Sequence, residues 1–306
     1  SESLVLSKLL KLKIRKSGGA DKLSNRKIKL LTPALSYILP ILFNKSLEDG
    51  LFPSDWKCAN VVPIFKNKGS RAHVNNYRPI ALTCSLSKVF ESCVLKFLEE
   101  YFFKTLNWFS DRQSGFPKGD SSSMQLIDII DDLTKAIANK QFVRYVFLDI
   151  EKAFDRAWHT AILSKLEKAG CCARIIKWIT SYLTGRKIRV VLSGTESKWY
   201  TLNCGVPQGA ILAPLLFLIF INDLPVDLNS KSKLFADDTS LYACIPYSSL
   251  PNDGSTLLQE DLDKIFSWSL DNLVVFNATK IKELIVSTTP LEHNIHPLRF
   301  NGSVIE

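Results

Sequence analysis

The stretch KLFADDTSLYA, residues 233–243, sets two aspartates side by side within an apolar run. Asp237 and Asp238 repel one another, and burial raises the cost of keeping both ionised. Successive side chains of a straight strand point to opposite faces, so two adjacent acids serve one partner only where the chain turns. Taken alone, the segment reads as a hairpin tip with solvated turn acids. The other reading is a hairpin whose acids hold metal, and the rest of the chain has to decide between the two.

A further acid stands upstream. YVFLDI (145–150) reads as a buried strand running directly into AFDRAWHTAILSKLEKAG (153–170), a helix stopped by Gly170. Asp149 therefore ends a strand where the chain leaves the sheet, a place that ligand sites favour. If the 233–243 hairpin pairs beside this strand, the carboxylates of residues 149, 237 and 238 converge. That convergence is untenable without cations. Two divalent ions roughly 3.5–4 Å apart would neutralise it and align an in-line phosphoryl displacement. Mg²⁺ suits all-oxygen ligands, with Mn²⁺ as a possible substitute. After Asp149, the segment EKAFD supplies successive backbone N–H groups at a helix start, a cradle suited to a triphosphate. Phe154 reads either as a core aromatic or as a wall beside a nucleotide sugar.

The bulk numbers fit that chemistry. The 306 residues are 46% hydrophobic and 23% charged, an ordinary globular composition. Thirty-nine Lys and Arg against 30 acidic residues leave +9, a balance that suits a polyanion. Seven cysteines without a CxxC pair read as reduced thiols of an intracellular protein, nuclear or cytoplasmic. His293 and His296 form an HxxH without further ligands and read as surface. No secretory signal is expected, and the apolar run AILAPLLFLIFI (210–221) is too short to cross a bilayer, so no membrane partner is expected. Ser1 at the start and Met124 as the single methionine fit an interior piece of something longer and removal of an initiator Met equally well.

Along the chain, residues 1–45 read as helical and basic, broken by SGGAD (17–21), and residues 31–50 as an apolar helix closed by Gly50. WKCANVVPIF (56–65) is strand-like, and residues 76–102 begin extended and become an amphipathic helix. DRQSGFPKGDSSS (111–123) reads as a polar loop before a further amphipathic helix. KIRVVLSGTESKWYTLN (187–203) reads as a hairpin turning at Ser193-Gly194. GVPQG (205–209) is a loop, LLQEDLDKIFSWSLDNL (257–273) a helix and KELIVS (282–287) a strand. The expected class is α+β, a sheet backed by helices.

FLDIEKAFDRAWH, GVPQGAILAPLLFLIFINDLP and LFADDTSLYA, in this order, resemble the catalytic motifs of reverse transcriptases, above all those of non-LTR retrotransposons. GLFPSDWKCANVVPIFKNKG, NYRPIALTCSLSKVFE and QSGFPKGDSS resemble that family's fingers segments. SGGAD and FNATKIKELIVS extend the likeness over nearly the whole chain. The resemblance implies a right-hand polymerase fold, with an extension over residues 1–45, fingers over about 46–145 and palm over about 146–306. It implies RNA-directed DNA synthesis, with RNA template, DNA primer and dNTP as partners and two Mg²⁺ ions held by Asp149, Asp237 and the Ile150 carbonyl. Asp238 would tune the site. Phe154 would be the gate that rejects a ribose 2′-OH, flanked by Lys152 and Ala153 on the nucleotide side. Gln208 and Gly209 would line the nucleotide and template pocket, Lys66 and Arg78 would clamp the triphosphate, and Lys280 would protonate departing pyrophosphate.

Departures from the pattern are also visible. Ala210 and Ala213 replace Ser and Gly, and Glu151 replaces Ser. Pro117 and Asp120 stand where arginines are usual, which implies a weaker hold on the template. FNGSVIE resembles the lead-in to a primer grip, so primer grip and thumb are expected to be missing and an endonuclease to lie elsewhere in a parent polypeptide. Two rivals stay open here: a nucleic-acid-binding remnant without activity, and a mobile-intron-type reverse transcriptase.

Overall fold

The computed structural model describes residues 1–15, 18–115, 121–291 and 295–306. The elements begin with α1 (Glu2–Leu10), α2 (Asn25–Leu30), α3 (Thr32–Asp49), β1 (Cys58–Phe65), β2 (Tyr77–Leu82), α4 (Ser85–Glu99) and α5 (Ser122–Ala138). The middle of the chain forms β3 (Gln141–Asp149), α6 (Ala153–Arg156), α7 (His159–Lys168), α8 (Ala173–Leu183), β4 (Lys187–Leu192), β5 (Thr195–Glu196), β6 (Tyr200–Thr201) and α9 (Ala213–Ile221). The remainder forms β7 (Lys231–Phe235), β8 (Asp238–Pro246), α10 (Ser255–Asp271), β9 (Lys282–Val286), β10 (Arg299–Phe300) and β11 (Ser303–Val304). Two compact units interleave along the chain: residues 1–107 with 157–217, and residues 108–156 with 218–306.

The first unit holds a mixed sheet in the order β2-β1-β4-β5, with β6 also paired to β4. β1 runs antiparallel to β2 but parallel to β4, which lies more than 120 residues away in the chain. Its core is aromatic. Phe43 stacks on Phe90 at 4.2 Å, and Phe52 meets Tyr182 and Trp178 edge-on. α8 supplies Trp178 and Tyr182, both fully buried, and its amphipathic pattern ARIIKWITSYL is an additional helix beyond those expected. α3 ends as anticipated: Gly50 adopts φ 65°, and its N–H and that of Leu51 satisfy carbonyls of the last turn.

The second unit holds an antiparallel sheet ordered β7-β8-β3-β9. The alternation of β3 gives it two unlike faces. Phe142, Arg144, Val146 and Leu148 point to one side and are at most 2% exposed. α10 begins on that side, where Gly254 comes up against Ile245 and Ala243 of β8. The buried Arg144 is neutralised there by Asp253 at 3.0 Å and Glu283 at 2.6 Å, as a charge in a dry setting requires. On the other face, α5 packs Ala136, Ile129 and Leu133 over Val143, Tyr145 and Tyr242. Its acids Asp128 and Asp132 pair with Lys233 and Lys231 of β7. α5 covers only the far end of that face: Phe147, two residues on from Tyr145, is 44% exposed.

Two expectations need correction. The helix read across residues 153–170 is two helices, α6 and α7. The Ala157 carbonyl between them accepts the Gly205 N–H at 2.9 Å instead of continuing a helical ladder. The loop read across residues 111–123 is partly sheet edge: Gln113 bridges Leu234 of β7 in parallel.

Candidate active site

The open end of the second unit's sheet carries the acids. In the β3–β8 register Asp149 lies directly across from Asp238, so the two side chains share the face that α5 leaves uncovered. Beyond Asp149 the chain is pinned by an isolated antiparallel bridge between Ile150 and Phe276. Glu151 donates its N–H to the Val275 carbonyl and Asn277 donates to the Asp149 carbonyl, each at 2.8 Å. These bonds run on either side of Ile150 and bypass its carbonyl. The short turn Ala278–Lys280 then brings the Lys280 ammonium to 2.8 Å from Asp149 Oδ2.

Asp237 sits in the two-residue turn between β7 and β8, where Phe235 pairs with Asp238. Ala236, the other turn residue, adopts φ 55°, a conformation alanine seldom takes. Burial, with the like charges of Asp238 and Asp149, pushes the Asp237 carboxyl above its ordinary range, against a hydrogen bond from its own backbone and the charge of Lys280. Burial and Asp149 do the same to Asp238. The three acids are thus electrostatically coupled. They do not form the cage expected from the sequence: among the described residues no three His, Cys, Asp or Glu side chains are gathered closely enough to hold a metal ion. Asp149 pairs with Lys280, and Asp237 occupies the turn next to Asp238. The donor set still fits a hard cation. It is all oxygen, it carries excess negative charge, and Mg²⁺ is ordinarily held by one or two carboxylates with substrate phosphates completing the shell.

Just beyond Asp149, Lys152 adopts φ 51° and turns the chain out of the sheet. Ala153 is buried, Phe154 half-buried and Lys152 exposed. α6 is a single turn, so the expected helix dipole behind EKAFD reduces to a few peptide units.

The remaining expected site residues lie in the first unit. Arg78 pairs opposite Ile64, and the Lys66 N–H donates to the Asn76 carbonyl. Strand alternation therefore places Lys66 and Arg78 on one face of the β1–β2 hairpin, both exposed. The Lys66 ammonium donates to the Asn75 carbonyl at 2.9 Å. The Gln208 carbonyl accepts the Ala81 N–H of β2 at 2.9 Å. Gly209 follows at φ 108°, and a methyl there would come within 2.7 Å of the Ala81 carbonyl oxygen. Glycine is required twice over, by conformation and by space.

Two supporting residues were not singled out from sequence. Glu91 is fully buried; its carboxylate accepts the N–H groups of Ile211 at 2.7 Å and Leu212 at 3.2 Å, the Tyr182 hydroxyl and the Ser87 hydroxyl. It thereby fixes the chain where GVPQG passes into α9. Gln113 grips Ala236 of the acid turn. Both are polar residues buried among apolar ones, a signal visible for Glu91 in its amphipathic helix and hidden for Gln113 in a polar stretch. Pro117, Asp120 and His293 fall outside the described residues.

Comparison with known proteins accords with this arrangement. The family model described as reverse transcriptase (RNA-dependent DNA polymerase) matches residues 65–301. The RNA-directed DNA polymerase from mobile element jockey of Drosophila melanogaster is 32% identical over 89% of this chain and 30% of its own length. The probable RNA-directed DNA polymerase from transposon BS of the same species is 29% identical over 99% of this chain and 34% of its own. The chain thus spans about a third of the curated relatives it matches. A solved apo telomerase from Candida tropicalis, truncated from its C-terminal domain, superposes with a TM-score of 0.54 at 12% identity. It covers 82% of this chain and 54% of that one, a likeness of fold alone. With an α+β fold of the right-hand polymerase type and acids at the open end of its antiparallel sheet, the chain belongs to the reverse transcriptase family.

Proposed function

We propose that this chain is the fingers and palm of an RNA-directed DNA polymerase from a non-LTR retrotransposon, extending a DNA primer on an RNA template. The single observation that carries the reading is Asp149 facing Asp238 across the open sheet end, with Asp237 in the adjoining turn and Lys280 on Asp149. In the reaction the primer 3′-oxygen attacks the α-phosphorus of a dNTP, and pyrophosphate leaves. Asp149, Asp237 and the Ile150 carbonyl would hold divalent Mg²⁺ or Mn²⁺, which supplies positive charge where the phosphates become more negative.

The other roles belong to the chain itself. Asp238 tunes the field at Asp149. Lys280, 2.8 Å from Asp149, would pass a proton to the leaving pyrophosphate. Phe154, with Lys152 and Ala153 beside it, excludes the ribose 2′-OH by its bulk. Lys66 and Arg78 present positive charge from one hairpin face to the triphosphate. Gln208 and Gly209 bring bare backbone to the nascent pair. We take fingers and palm to divide near residues 145–146, place the protein inside the cell, and expect an endonuclease elsewhere in a longer polypeptide.

Primer extension on an RNA template tests the assignment. Asp149→Ala should abolish product while hybrid binding persists, and extension at the parental rate would refute it. Phe154→Val should admit rNTPs; an unchanged preference for dNTPs would leave Phe154 a packing residue only.

A further inference from the structure

We infer that Gln113 is a positioning residue for the metal-binding turn: its buried carboxamide, with Gly115 beside it, holds Ala236 in the backbone conformation that aims Asp237. The inference rests on the function proposed above and concerns the same site.

The segment Arg112–Gly115 lies along β7. Leu234 donates its N–H to the Arg112 carbonyl at 2.7 Å, and Ser114 donates to the Leu234 carbonyl at 2.9 Å. This short parallel pairing places Gln113 at the end of β7, level with the turn. Gln113 is 5% exposed. Its Oε1 accepts the N–H of Ala236 at 3.0 Å and that of Gly115 at 2.8 Å, while its Nε2 donates to the Ala236 carbonyl at 3.4 Å. One side chain therefore satisfies both backbone groups of Ala236.

Those are the two groups that need it. A two-residue hairpin turn leaves its central amides unpaired, and Ala236 is itself buried, so without Gln113 both would be stranded away from water. Ala236 is also held at φ 55°, where a Cβ costs energy that glycine would not incur. A strained residue persists only where its surroundings over-determine it. Gly115 closes the other side, since a methyl there would overlap the Ala236 nitrogen. Asp237 is the next residue, so any release of Ala236 re-aims its carboxylate. Gln125 provides an internal contrast. It is also buried, and its Nε2 donates at 2.9 Å to the Leu234 carbonyl, two residues before the turn residue that Gln113 grips. Gln125 braces the strand; Gln113 braces the turn.

The experiment uses the 306-residue chain and compares Gln113→Met, which keeps the volume but removes the hydrogen bonds, with Gln125→Met. Three quantities are read: Mn²⁺ binding without substrate by electron paramagnetic resonance, kcat and KM for dNTP in primer extension, and the thermal midpoint. Gln113→Met should weaken Mn²⁺ binding by about tenfold and lower kcat by about 10–100-fold, with KM changed less than about threefold, because a misplaced group loses rate before binding. Gln125→Met should lower the midpoint without moving Mn²⁺ affinity. Adding Ala236→Gly to Gln113→Met should recover part of both losses, since glycine adopts the turn without strain. Parental Mn²⁺ affinity and kcat in Gln113→Met would overturn the inference, as would equal losses in the two Met variants. If Gln113→Met does not fold, Gly115→Ala reads the same contact; failure of both to fold would make the brace structural and overturn its positioning role. A parental chain that neither binds Mn²⁺ nor extends a primer would remove the function proposed above, and this inference with it.

Discussion

Among the described residues three hairpins turn on two residues, and two of them are built on opposite principles. Between β4 and β5, Ser193 and Gly194 take φ 49° and 81°, positive at both positions. That is the sign pattern of a type I′ turn, whose twist matches the strands it joins. A methyl at Gly194 would meet nothing within 4 Å, and the turn stands exposed. Between β7 and β8, Ala236 is positive and Asp237 is not, the sign pattern of type II′, where the first central residue is usually glycine. The first turn obeys its own residues. The second defies them and is held by Gln113 from outside. A turn that conflicts with its local sequence marks a place where something other than folding chose the residues.

The largest test of that contrast is Asp237→Asn, which keeps the side-chain shape and removes the charge. Extension should fall by about 10³-fold, the scale for losing one principal electrostatic group. The thermal midpoint should stay within about 3 °C, because the turn is held through Ala236 and not through the carboxylate. A comparable loss of activity from Gly194→Ala in the other hairpin would erase the distinction. Gly209→Ala comes next. The loop 205–209 is braced like the acid turn, by Ala81 on Gln208 and by Glu91 just beyond it. A methyl at Gly209 must push on the Ala81 carbonyl, so KM for dNTP should rise by about tenfold, with stability falling by about 1–3 kcal/mol. An unchanged KM would detach this loop from nucleotide binding.

The contrast also explains what could be read in advance. Elements whose pattern is local came through: α3 with Gly50 after it, α5, α10, β3, the Ser193-Gly194 hairpin and the acid hairpin each follow from periodicity or turn chemistry within about twenty residues. Asp149 at a strand end was legible because a buried run meets a helix start there. The parallel pairing of β1 with β4 was not, since nothing in CANV and KIRV specifies a partner far along the chain. Nor was the break between α6 and α7, because the Gly205 N–H that takes the Ala157 carbonyl comes from a distant loop. Gln113 was hidden for the same reason. In sequence it belongs to a polar loop, and only the docking of that loop on β7 buries it. Lys280, by contrast, was identified by motif and lies on Asp149.

A smaller effect concerns pH. His159 is buried, and because a carbonyl can only accept, its Nε2–H must donate to Gly205 at 2.8 Å. Burial, aided by the Arg186 charge, holds its pKa below the ordinary value of 6.5, against the opposing pull of Gly205. The folded state therefore prefers the neutral ring. The unfolded chain binds the proton first as pH falls, so the contribution of His159 is full above about pH 6.5 and is lost below it. The denaturant midpoint of the parent should drop between pH 7.5 and 5.5 by more than that of His159→Gln, which retains an N–H donor without titrating. Equal drops would show that the braced loop does not sense this ring.

The smallest effect probes the unbraced turn. Asn-Gly is the favoured pair for type I′, since asparagine tolerates a positive φ better than serine does. Ser193→Asn should therefore stabilise the protein by about 0.5 kcal/mol, read as a rise in the denaturant midpoint, and leave primer extension unchanged. Ala236→Asn makes the same kind of exchange at the other turn, and the outcome should differ in sign. Asparagine also relieves the backbone there, but its larger side chain must fit where Ala236 is buried against Gln113 and Gly115. Relief without room costs more than strain with a brace, so Ala236→Asn should lower both stability and rate. If the two substitutions behaved alike, the acid turn would be an ordinary hairpin tip after all, and its grip by Gln113 incidental.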